Sequence, residues 1–224
     1  MKRNKIHYIS DQNNQKDRKA SIKNIVFHAA GYATAIYLNN MARNLPPVFF
    51  QIKFEDIHKG LEEESFLTRP ADGDCVVKIE GGRLIQSFSA LPDATDDYLN
   101  AFEADIVNIL IGPLAEAKYI YESDDEFFSE LLVNIPALNN YDGRIDLALV
   151  KEYLQSLYSS EQEQDEKLHQ FFIAAFDFIE NYSNWQVICQ LADYIVESNK
   201  SIITYEEIIS MLESILEEPL VHTG

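Results

Sequence analysis

Cysteine is scarce in this chain: two residues, Cys75 and Cys189, far apart and without a CxxC pair. Neither a disulfide framework nor a CxxC zinc site is implied, and both thiols read as small buried apolar residues in a reducing compartment. Long hydrophobic runs are missing as well. None reaches the ~18 residues of a membrane span, and the start carries no apolar signal-peptide segment. The expectation is a soluble, cytoplasmic protein without a transmembrane segment. Positive charge is also in short supply, with 18 Lys and Arg against 37 Asp and Glu, a net charge of -19. An acidic body repels phosphate backbones, which argues against nucleic acid as a partner. No internal repeat is visible.

What is present is enough for a packed domain. Hydrophobic residues make up 46% and aromatics 12% of 224 residues, so a core rather than disorder is expected. Charge is uneven. Residues 1–24 carry a local balance of +5, leaving -24 for the remainder. With its Asn, Gln, Lys, Asp and Ser content, the segment 1–20 reads as a flexible basic tail. Residues 21–217 read as one domain, with a helix-plus-sheet part over 21–92 and a helical part over 93–217. Residues 218–224 read as a second tail.

From Ser21 the apolar residues Ile22, Ile25, Val26, Ala29, Ala33, Ile36 and Tyr37 recur at helical steps, to an end near Asn44 before Pro46-Pro47. Residues 48–54 read as a strand. Residues 75–79 and 83–88 flank Gly81-Gly82 and predict a hairpin. After Pro92 the chain reads as helical: 98–121 with a kink or junction at Gly112-Pro113, a short helix at 125–133, then 142–158, 167–182, 184–198 and 204–217. The acidic run 161–166 is a solvated loop or helix start. Ser183 and Thr204 are the expected N-caps, Thr204 with Glu207 at capping-box spacing. The fold class is therefore α+β, mostly α, with a small antiparallel sheet or hairpin.

One constellation carries chemistry. In an H-E-x-x-H helix two His project from one face to grip zinc, and the Glu activates the bound water. Here the five corresponding residues are His28, Ala29, Ala30, Gly31 and Tyr32. The surrounding segment NIVFHAAGYATAIYL (24–38) resembles the zinc-binding helix of the FtsH-type metallopeptidase domain. DIVNILIGPLAEAKY (105–119) resembles that family's second helix, and GRIDLALVKEYLQSLY (143–158) the helix bearing its third ligand. The stretch from Trp185 to Ile209 resembles its closing helices. The resemblance covers roughly residues 20–217 and implies a standalone, degenerate peptidase domain. It lacks the family's membrane spans and has no GxxxxGK[ST] loop.

Carried across, the resemblance matches His28 to the first zinc ligand and Asp146 to the third. Ala29 stands at the catalytic Glu, Tyr32 at the second His, and Glu116 at an acidic position that orients a ligand. No catalytic set is intact. His28 and Asp146 are the metal candidates, with Glu116 or His58 as the third ligand of an atypical site; no cofactor is expected, and zinc is the one such a site would take. Ala29 cannot supply general-base assistance, worth about 10²–10⁴ in rate. Each residue also has a plainer reading. His28 reads as a hydrogen-bonded core histidine, Tyr32 as a space-filling aromatic, Asp146 and Glu116 as first-turn acids, and Trp185 as core. The expected function is a catalytically inactive, metallopeptidase-like protein that binds a protein or peptide. The alternatives are a zinc peptidase with an atypical site, a structural or assembly module, and a bacterial effector exported by a non-classical system. That last alternative rests on a Glu-rich C-terminus that resembles some type IV secretion substrates.

Overall fold

The apolar stripes find each other around two long helices. The computed structural model describes residues 4–56, 75–87, 96–198 and 200–217. Helix α1 runs Asn4–Ala42 and α2 runs Asp96–Ser123, and their pairing is the most extensive between elements of the domain. Helices α3 (Arg144–Leu157), α4 (Glu161–Glu180), α5 (Tyr182–Glu197) and α6 (Tyr205–Glu217) pack around them. Strand β1 (Phe50–Asp56) lies between β2 (Cys75–Gly81) and the two-residue β3 (Ile202–Ile203), both antiparallel to it. The fold is mostly helical α+β with a small antiparallel sheet, as the periodicities predict. Among the described residues, no helix is long and apolar enough to cross a membrane.

α1 and α2 approach closely because of two glycines. A Cβ on Gly31 would lie 2.5 Å from the Ala115 Cβ, and one on Gly112 would lie 2.7 Å from the His28 ring. Glycine inside a helix costs about 1 kcal/mol relative to alanine, and here it removes the atom that would hold the two helices apart. Past this crossing the helices are joined by polar side chains. Asn39 donates to Asn108 (2.8 Å), and Arg43 donates to Asn100 (3.0 Å).

The sheet alternates as a half-buried strand should. Phe50 and Ile52 enter the core, while Gln51 and Lys53 turn outward to Glu80 at 2.9 and 2.7 Å. Strand β3 comes from the C-terminal half, so the two parts of the domain share one sheet.

Several expected elements differ. Among the described residues, no hairpin forms between 75–79 and 83–87, and residue 88 lies outside them; β2 pairs with β1, and residues 84–87 make a turn of 3-10 helix. The reason is local. Gly81 and Gly82 both have positive φ (87° and 83°) and steer the chain off the sheet, and the buried Asp105 carboxylate accepts from the Leu84 and Ile85 N–H groups (2.8 and 3.0 Å). Those donors are then lost to any ladder.

The backbone over residues 4–20, expected as a flexible tail, is helical from Asn4. No glycine or proline precedes Gly31, so nothing in the sequence stops a helix nucleated further on from propagating backwards. α2 continues through Gly112-Pro113, where a kink or junction is expected, so no junction divides it and Glu116 lies in mid-helix rather than in a first turn.

No helix forms over 125–133. Asp125 turns left-handed (φ 54°), and the inward residues Phe128 and Val133 are five apart, a spacing that no single helical face holds. A 3-10 segment at Ile135–Asn140, capped by Asn134, follows instead. Asn181, not Ser183, caps α5. The Thr204–Glu207 capping box is present in both directions, with Thr204 N to Glu207 Oε2 at 3.0 Å and Glu207 N to Thr204 Oγ1 at 3.4 Å. The acidic run is the start of α4, capped by Ser160.

Candidate functional site

Three helices bring one residue each to a single point. His28 stands on the α2-facing side of α1, where Gly112 lets its ring lie against the neighbouring backbone. One helical turn beyond Gly112 on α2, Glu116 places Oε2 3.3 Å from His28 Nδ1. Asp146, in the first turn of α3, places Oδ2 3.2 Å from His28 Nε2. A third glycine sets this last contact. A Cβ on Gly143, the N-cap of α3, would lie 2.7 Å from the Leu138 carbonyl oxygen and 2.9 Å from the Pro113 Cβ. Its absence lets the start of α3 settle on α2 beside His28. Near that helix N-terminus, Asp146 also meets the favourable end of the dipole.

The electrostatics follow from this sandwich. Burial by itself disfavours a charged imidazole, but the Asp146 and Glu116 carboxylates outweigh it and hold the His28 pKa at about 10. The geometry requires the same protonation state. A neutral imidazole has one N–H, so one of its two carboxylate contacts would be between acceptors; the imidazolium donates to both. In that form each ring N–H faces one carboxylate.

Tyr32 does not join the ring. Its hydroxyl points to the Gly82 carbonyl oxygen at 3.5 Å, and burial, followed by the charge of Asp105, keeps the phenol protonated well above its ordinary pKa. Ala29 is packed in the core. Of the residues singled out by sequence, the structure thus brings His28, Glu116 and Asp146 together and leaves Tyr32 beside them. Trp185 is core, as read, and its Nε1 donates to Glu122 at 3.1 Å. Cys189 is partly buried, with burial pushing its thiol to about 12, while His58 and the Cys75 side chain lie outside the described residues.

The donor set does not fit a catalytic zinc centre. Such a site takes three protein ligands and leaves one position open. Here the resemblance offers His28 and Asp146, and these donors face each other as an ion pair. Among the described residues, no group of three or more His, Cys, Asp or Glu is placed to hold a metal ion.

Two features escape sequence reading. Gly112 and Gly143 act through tertiary approach, which no spacing announces. Asp105 does leave a signal, since an acid flanked by Ala104 and Ile106 on a buried stripe needs partners. Burial raises its pKa to about 6, while the Leu84 and Ile85 N–H groups and Arg83 pull the other way. Compared with known proteins, the chain matches no family model, no curated protein and no solved structure.

Proposed function

We propose that this chain is a non-catalytic relative of the FtsH-type zinc peptidases that binds a protein or peptide ligand, with His28, Tyr32, Glu116 and Asp146 as the remnant of the family's site. The observation that carries this reading is the meeting of His28, Glu116 and Asp146. These are three of the four site positions that the resemblance selects, drawn from three separate segments, and they converge on one imidazole, while Tyr32 lies beside them. A chance match of helical patterns gives no reason for Asp146 to reach His28.

The loss of chemistry follows from the same residues. Ala29 offers no base, Tyr32 offers a protonated phenol, and the His28 N–H groups fill the space between two carboxylates. The ion pair takes the place of a bound cation, since it neutralises part of the charge that Glu116 and Asp146 would otherwise leave buried. Binding can outlast catalysis, because the walls of a substrate cleft do not depend on the metal.

Metal analysis of the purified protein, together with a protease assay on an unfolded protein substrate, tests this. The expected result is sub-stoichiometric zinc and no cleavage. Stoichiometric zinc together with cleavage that a chelator abolishes would overturn it in favour of a zinc peptidase with an atypical site.

A further inference from the structure

Far from burying all its large apolar side chains, the connection between α2 and α3 displays three of them within six residues. Phe127 is 80% exposed, Leu131 91% and Leu132 53%. The segment is held in place from beneath. Phe128 stacks on Phe176 of α4 with ring centroids 4.9 Å apart, and Val133 is fully buried. Glu126 N donates to the Tyr121 carbonyl (2.8 Å), and Leu132 N and Val133 N both donate to the Ser129 carbonyl (3.0 and 2.9 Å). Apolar side chains fixed outward on an anchored loop have already met much of the ordering cost of binding.

Within the segment itself the charge has one sign. Asp124, Asp125, Glu126 and Glu130 are interleaved with the apolar residues and exposed, and no Lys or Arg occurs between Lys118 and Arg144. An apolar centre with a charged rim is the anatomy of a protein interface. The rim selects against a second copy of this acidic body and for a surface of opposite charge.

We propose that residues 124–132 form a docking surface for a protein partner that offers an apolar pocket ringed by Lys and Arg. Phe127 and Leu131 enter the pocket, and the four carboxylates meet the basic ring. This surface rests on no part of the reading of His28.

A labelled amphipathic helix of leucine and lysine serves as the probe, with a scrambled peptide of identical composition as its control, read by fluorescence anisotropy. The intact chain is expected to bind the amphipathic peptide more tightly than the scrambled one. Phe127→Ser with Leu131→Ser should weaken that binding at least about tenfold with the melting temperature unchanged, because neither side chain is in the core. Rising salt should weaken binding further. Equal binding by the double variant, or no preference over the scrambled peptide, overturns the proposal. So does sedimentation showing that the chain self-associates through Phe127 and Leu131.

Discussion

A histidine with a carboxylate against each ring nitrogen responds to pH and to truncation in ways that a metal-bound or catalytic histidine does not. The folded-state pKa of His28, about 10, lies above its ordinary 6.5. Its contribution to stability is therefore fully present below about pH 6.5 and is lost as pH rises through 10. That contribution is at most about 5 kcal/mol. Replacing His28 by Ala leaves Glu116 and Asp146 buried without their cation and should cost about 3–5 kcal/mol in urea unfolding at neutral pH. Asp105 shifts in the same sense at lower pH. Its folded-state pKa near 6 exceeds the usual 3.8, so its contribution is full below 3.8 and disappears as pH rises through 6. The parent should thus lose about 2–3 kcal/mol relative to Asp105→Asn between about pH 4 and pH 7, measured by paired denaturation curves. A constant difference across that range would mean that Asp105 is not desolvated as described.

At the scale of elements, the site is a consequence of how closely three helices approach. Gly112→Ala would set a Cβ 2.7 Å from a ring that both carboxylates pin, so the ring cannot retreat without losing a contact. The substitution should destabilise by about 1–3 kcal/mol despite alanine's better helix propensity, and it should shift the His28 ring resonances. Thr204→Ala breaks the capping box of α6 and should cost about 1 kcal/mol by thermal or urea unfolding. Such elements are legible in the chain because their determinants are local: apolar residues at helical steps, a cap, a box whose two ends are three residues apart. The hairpin expected around Gly81-Gly82 fails because its competitor, Asp105, is about twenty residues away and visible only once α2 packs. The helix expected over 125–133 fails for a similar reason, since Phe128 and Val133 answer to a core that a short window does not contain.

For the whole molecule, the order of segments carries more than any one motif. His28 by itself reads as a core histidine, Glu116 as a helical acid and Asp146 as a first-turn acid. In the fold the three meet, although they come from segments far apart in the chain. What the pattern does not carry is the state of the site, because protonation depends on distances that α1, α2 and α3 fix together through Gly112 and Gly143. Most depends on His28 being an imidazolium clamped between Glu116 and Asp146. Nitrogen-15 spectra of the His28 ring at about pH 8, above the ordinary histidine range, with and without one equivalent of zinc, test it most directly. The prediction is a ring protonated at both nitrogens and unchanged by zinc. A neutral ring whose Nε2 resonance moves to a metal-bound position when zinc is added would contradict it.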